Sequence, residues 1–247
     1  MNHTAPILML ICLAAGCQQP LRPVFGEKSP AVEWPRRPDV PRIRYIGQLT
    51  GEESLGKPRA WDLKALIAGP EPSVAFSTPT SVAARGDRVY VADGQNHAVY
   101  LLNLDTREFR AIDSAGSKTL RWPADLLLAG DLLAVADSMY AAVFLFDLNG
   151  RYLRTIGEGS LQRPTALAWN ATAGELWVLD AALHACVVFD ESGRELRRVG
   201  QRGESGGEFN FPAGMTYSDR VGVVVADSMN FRVQVLNADG QPRRMFG

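Results

Sequence analysis

Four aspartates do most to restrict what this chain can become. Asp93, Asp137, Asp180 and Asp227 each end a short apolar run (Val91-Ala92-Asp93, Val135-Ala136-Asp137, Val178-Leu179-Asp180, Val225-Ala226-Asp227), at intervals of 44, 43 and 47 residues. Upstream of each lies a proline: Pro79, Pro123, Pro164 and Pro212. Downstream come a polar turn and another apolar run, AVYLLNL, AVFLFDL, CVVFD or VQVLN. A last segment then closes each unit, REFRAID, RYLRTIG, RELRRVG or PRRMFG. Val, Leu, Phe, Tyr and Ala within the runs, with Asp, Asn and Gly between them, are the chemistry of strands and turns. A unit this short cannot bury its apolar residues alone, so successive units must stack.

Four short strands per unit of about 45 residues predict an all-β fold, a β-propeller of four-stranded blades. The repeats run over about 75–113, 120–157, 161–200 and 208–247. Twenty-three glycines and fifteen prolines agree with a turn-rich, β-rich chain. The formal net charge of −1 gives no basic field for a polyanion, so no nucleic-acid partner is expected. Three cysteines, Cys12, Cys17 and Cys186, without a C-x-x-C spacing, exclude a disulfide framework and a zinc cluster.

Within the units the residues resemble the NHL repeat. The fourth carries Pro212-Ala213-Gly214, Ala226-Asp227, Asn230-Phe231-Arg232-Val233-Gln234-Val235 and Phe246-Gly247; the first keeps Asp93, Asn96, His97 and Val99. The connector GQRGESGGEFNFP (Gly200–Pro212) is similar to that family's glycine-rich link between blades. The resemblance implies a six-bladed ring. Arg42–Gly47 (RIRYIG) aligns with the fourth-strand segments LRTIG, LRRVG and RRMFG, and is expected to close the final blade, since closure removes open sheet edges. On that reading 42–247 is the propeller part of a longer, truncated protein. In the insertion 51–72, Trp61, Leu63, Leu66 and Ile67 have roughly helical spacing and predict a short rim helix.

The first residues read as an export leader. APILMLICLAA (5–15) is too short to span a bilayer and has the length of a signal-peptide apolar region. Its ending LAAGC resembles the lipobox of bacterial lipoproteins. That resemblance implies a signal peptide over 1–16, lipidation of Cys17 and a membrane anchor. Gln18 and Gln19 then favour the periplasmic side of the outer membrane. Residues 17–41 hold Pro20, Pro23, Pro30, Pro35, Pro38 and Pro41 and predict an extended, polyproline-like tether.

The mature chain has two histidines, His97 and His184, at one repeat position two blades apart. A catalytic zinc site needs three protein ligands, and the other two units place Ala141 and Phe231 there. No cofactor or metal is expected. Asp93, Asp137, Asp180 and Asp227 are read as structural turn residues, which accept backbone N–H groups. No G-x-S-x-G or H-E-x-x-H motif is present. The expected function is therefore binding: an envelope scaffold presenting the turns after the aspartates to a protein, peptide or glycan. The candidate ligand face is Asn96, His97, Tyr140, His184, Asn230 and Arg232. The competing reading is a metal-dependent lyase or lactonase-like propeller enzyme with its site on the same face.

Overall fold

A computed structural model describes residues 23–26, 32–35, 38–56 and 73–247. The leader, Cys17 and the expected helix from Trp61 onward lie outside the described residues. The chain divides into two compact units, 1–48 and 49–247.

In the first unit β1 (Val32–Trp34) pairs antiparallel with β2 (Ile43–Tyr45). Glu33 and Arg44, opposite each other, form an ion pair at 2.8 Å. The stretch read as a tether thus contributes a strand, and the segment read as a closing strand is its partner. Val32, Glu33 and Trp34 fall between prolines, so each keeps its ladder donor.

The second unit is built from four antiparallel sheets, each with its strands in chain order. Blade 1 comprises β3 (Pro79–Arg85), β4 (Arg88–Asp93), β5 (Ala98–Asn103) and β6 (Phe109–Ile112). A two-stranded hairpin follows, β7 (Ser114–Ala115) with β8 (Lys118–Thr119). Blade 2 is β9 (Pro123–Ala129), β10 (Leu132–Asp137), β11 (Ala142–Asp147) and β12 (Tyr152–Ile156). Blade 3 is β13 (Pro164–Asn170), β14 (Glu175–Asp180), β15 (Ala185–Asp190) and β16 (Glu195–Val199). Blade 4 is β17 (Gly214–Ser218), β18 (Gly222–Asp227), β19 (Arg232–Leu236) and β20 (Pro242–Phe246). The first strands of successive blades lie side by side, β3 on β9, β9 on β13 and β13 on β17.

Period-two alternation gives every blade two apolar faces, and stacking buries those that meet between blades. Tyr90, Ala92, Val99, Leu101 and Ile112 of blade 1 pack on Leu126, Leu133, Val135, Phe144 and Phe146 of blade 2. The same positions of blade 2 (Ala134, Ala136, Val143, Leu145, Ile156) meet Leu167, Leu176, Val178, Val187 and Phe189. Blade 3 repeats the interface with Trp177, Leu179, Cys186, Val188 and Val199 against Val223, Val225 and Leu236. Cys186 is fully buried, which pushes its thiol up to about 12 and leaves it as an apolar side chain.

Asp125 ties the first strands together. Its carboxylate accepts from Ser81 Oγ of blade 1 (2.7 Å), its neighbour Leu126 N (2.9 Å) and Leu167 N of blade 3 (2.7 Å). Burial raises its pKa above the usual aspartate value, against the hydrogen bonds that lower it. Blades 1, 3 and 4 carry Ser81, Ala166 and Gly214 there.

One glycine fixes the approach of β18 to β19. Gly222 has φ +97°, and a Cβ on it would lie 2.1 Å from the Leu236 carbonyl oxygen. Gly222→Ala combines strain with a backbone clash and is expected to cost about 1–3 kcal/mol. Urea unfolding midpoints at equal slope would show it; an unchanged midpoint would contradict it.

Candidate functional site

The turns after the four aspartates share one end of the unit, because hairpins alternate ends along an antiparallel sheet. All four aspartates are fully buried. Each draws in the segment leading to its own blade. Asp93 accepts from Ser77 N (2.7 Å) and Thr78 N (3.0 Å), Asp137 from Arg121 N (2.7 Å) and Trp122 N (3.1 Å). Asp180 accepts from Gln162 N (2.7 Å) and Arg163 N (2.8 Å), and Asp227 from Asn210 N (2.6 Å). In blades 1 to 3 the carboxylate also takes amides of its own turn, such as Met139 N and Tyr140 N on Asp137. In blade 4 side chains do this work: Asn230 Nδ2 (2.9 Å), Arg232 Nε (2.8 Å) and Gln234 Nε2 (3.1 Å) donate to Asp227.

Every turn ends in a left-handed residue: His97 (φ 53°), Ala141 (55°), His184 (55°) and Phe231 (53°). The shared position of the two histidines is therefore a backbone corner. From it each reaches the following blade. His97 Nδ1 hydrogen-bonds the Arg121 carbonyl, and His184 Nδ1 accepts from Phe211 N at 3.1 Å. The His184 ring packs edge-on against Phe211, centroids 4.5 Å apart. Among the described residues no three His, Cys, Asp or Glu side chains come together as a metal set.

Burial pushes the His184 imidazole below the usual histidine value, and the Arg202 and Arg163 charges add to this. A depressed histidine takes up its proton in the unfolded chain first. Stability is then intact above the unfolded value near 6.5 and is lost as the pH falls through it. His184→Asn, which tolerates the left-handed corner, is expected to flatten the loss of stability between about pH 7 and pH 5. Parallel slopes for the two proteins would contradict that.

The other expected face residues divide in two. Asn96 Nδ2 donates to the Ala75 carbonyl (3.0 Å) and Asp93 (3.1 Å), while its oxygen accepts from Ser77 Oγ (2.9 Å). Asn230 Nδ2 also reaches the Gly203 carbonyl (2.8 Å), and Arg232 holds the Ser205 and Glu208 carbonyls (2.8 and 2.9 Å). Asn96, His184, Asn230 and Arg232 are thus spent on the protein's own backbone. His97 remains exposed, and Tyr140 is half-buried beneath the Arg121 guanidinium, 5.0 Å from the ring centre.

What this end offers to solvent lies elsewhere. A groove of about 530 Å³ runs across the first strands, lined by Thr80, Trp122, Ala124, Met139, Arg163 and Thr165, with Ser138 at its side. Thr80, Ala124 and Thr165 are the residues skipped by the ladder where β3, β9 and β13 bulge after their prolines. Trp122 and Arg163 each precede such a proline. The hydroxyls are latches: Thr80 Oγ1 donates to the Pro123 carbonyl (2.7 Å) and Ser138 Oγ to the Pro164 carbonyl (2.5 Å). The turns carry Met139, Met229 and Phe231, which are 59%, 56% and 85% exposed. Arg121 and Arg163 are exposed and face rings, Tyr140 and Phe211, with no carboxylate partner among the described residues. The sequence pattern did not single out Trp122 and Arg163; their place before a repeat-opening proline was the available signal.

No protein-family profile matches the sequence, and no curated protein does. Among solved structures the chain is similar to Kuenenia stuttgartiensis hydrazine synthase, with 14% identity over 72% of this chain and 51% of that chain, at a TM-score of 0.56. It is similar also to a streptogramin B lyase, with 10% identity over 69% of this chain and 55% of that chain, at 0.57. The chain spans about half the length of each. Likeness at such identities is one of fold. The stacked four-stranded sheets and these neighbours define an all-β, β-propeller protein.

Proposed function

We propose that this propeller is a binding protein whose Asp-turn end takes a protein, peptide or glycan partner. One observation carries the reading: Met139, Met229 and Phe231 stand in solvent on the turns whose Asn96, His184, Asn230 and Arg232 side chains are spent internally. Bare apolar side chains at the same end as guanidiniums without a carboxylate partner among the described residues are what a partner surface needs, and cost a protein without one. A photo-crosslinking residue at Met139 or Phe231 should capture one recurrent envelope partner. The same probe at Asp131, on the other end, should not. Capture at neither turn, or equally at all three sites, would sink the proposal. Asn230 and Arg232 are poor probes, because their loss would loosen the Gly200–Pro212 connector.

The rest of the reading rests on the sequence. The chain is an NHL-type propeller of a six-bladed ring, exported and anchored through Cys17 on the periplasmic side of the outer membrane. Support for further blades comes from blade 4. Val224, Ala226, Val233, Val235 and Phe246 repeat positions that blades 1 to 3 bury against a neighbour, yet Val233 is 37% and Phe246 56% exposed. In the native protein Val233→Asp should lower the melting temperature by several degrees; an unchanged value would leave that face bare. Cys17→Ser should move the protein from the membrane pellet to the soluble fraction. Retention in the pellet would remove the lipid anchor.

A further inference from the structure

The interface between blades 2 and 3 breaks the repeat at two positions. Where blade 1 has Tyr90 and blade 3 has Trp177, blade 2 has Ala134; where blade 3 has Glu175, blade 2 has Leu132. Both changes fall beside one space, a cavity of about 570 Å³ that opens away from the Asp turns. Its walls are Leu132, Ala134, Leu145, Ile156, Trp169 and Leu176. That volume lies in the range of small-molecule sites.

The neighbouring interface shows what the same architecture holds there. Arg197 grips Glu175 with two nitrogens, at 2.6 and 2.8 Å, and donates to the Ala238 carbonyl at 2.9 Å. Its guanidinium lies 5.1 Å from the centre of the Trp177 ring. The hydrogen bond from Arg197 holds the Glu175 carboxyl below the usual glutamate value. Arg154 is the counterpart of Arg197 in blade 2 and also lines the cavity. It keeps the carbonyl bond, to Glu191, but has no carboxylate partner among the described residues. Two of the acids at the rim already have cations: Asp131 faces Arg85 at 4.0 Å and Asp190 holds Arg194 at 3.1 Å. The third, Glu191, has its carboxylate over Gly174.

We infer that this cavity binds an aromatic monocarboxylate, with its ring against Trp169 and Leu145 and its carboxylate on Arg154. Such a ligand restores from outside the ring and carboxylate that Trp177 and Glu175 supply within blade 3. A planar guanidinium fork recognises a carboxylate by two parallel bonds and discriminates against neutral isosteres. The site is separate from the Asp-turn surface and stands or falls without it.

The test is calorimetry with 2-naphthoate and its neutral twin 2-naphthamide. Naphthoate should bind saturably and shift the Trp169 indole resonance. Arg154→Met should weaken naphthoate at least about tenfold while leaving naphthamide unchanged. Leu132→Glu, which offers Arg154 an internal carboxylate as Glu175 does for Arg197, should do the same by competition, with an unchanged unfolding midpoint as the check that it folds. Trp122→Ala, at the other end, should leave naphthoate binding intact. No saturable binding at millimolar naphthoate, equal affinity for the two ligands, or indifference to both Arg154→Met and Leu132→Glu would overturn the inference.

Discussion

Asp137→Ala is expected to cost about 3–5 kcal/mol, a large part of the stability of an ordinary domain. The carboxylate takes four amides, Arg121 N and Trp122 N from the incoming segment and Met139 N and Tyr140 N from its own turn. Alanine leaves all four donors without an acceptor at a fully buried position. Each such loss costs about 1–3 kcal/mol before the backbone relaxes, so the sum is reduced by water and by movement of the turn. Asp137→Asn should recover less than half, since one amide oxygen replaces two carboxylate oxygens and the NH₂ faces donors. Asp147 provides the control, because it caps an exposed turn through Asn149 N and Arg151 N, where water can replace it. Guanidinium unfolding of the three variants decides the matter. A loss below about 1 kcal/mol for Asp137→Ala would mean that the turn holds itself without the carboxylate.

Trp177→Ala should cost a similar amount, about 3–5 kcal/mol, by a different route. Trp177 is fully buried and is the largest such side chain among the described residues. It fills the interface with Val223, Val225 and Phe209, and lies under the Arg197 guanidinium. Removing it leaves a void and takes away the ring face that the cation covers. At the corresponding position blade 2 has Ala134, and the space beside it stays open with Trp169 of blade 3 as one wall, whereas blade 4 sets Tyr217 against the cluster that holds Trp177. The prediction is therefore a cooperative transition at lower denaturant with an unchanged slope. A loss under about 1 kcal/mol would show that Tyr217 and Met215 collapse into the space.

The candidate site was less legible than the fold, for reasons visible in single residues. Asn96, Asn230 and Arg232 are polar residues in turns and read as available groups. They are consumed by carbonyls of segments 21, 27 and 27 residues away, contacts no local pattern announces. Their shared repeat position places His97 and His184 on the expected ligand face, and that position is a left-handed corner that Ala141 and Phe231 hold as well. Conversely, Trp122 and Arg163 carried no signal beyond preceding a proline, and they line the groove where the strand bulges just after that proline. Asp125 stands where the other blades have Ser81, Ala166 and Gly214, and the strands on either side supply its partners.

Arg42–Gly47 marks the same boundary from the other side. Its likeness to the closing segments was real as a strand signal, and Ile43–Tyr45 is a strand. Its partner there is Val32–Trp34. Strand character is a property of the segment, whereas pairing depends on which edge reaches it.

The sequence by itself determined the repeat, the four-stranded unit and the place of each buried aspartate. These follow from period-two apolar alternation and from turn residues at a fixed spacing, both local in the chain. Only the tertiary structure decided which polar groups are spent, where apolar side chains stand bare, and that Ala134 and Leu132 leave a cavity beside Arg154. Those outcomes depend on the blade next door, since burial and hydrogen-bond satisfaction belong to pairs of surfaces and are not carried by either one alone.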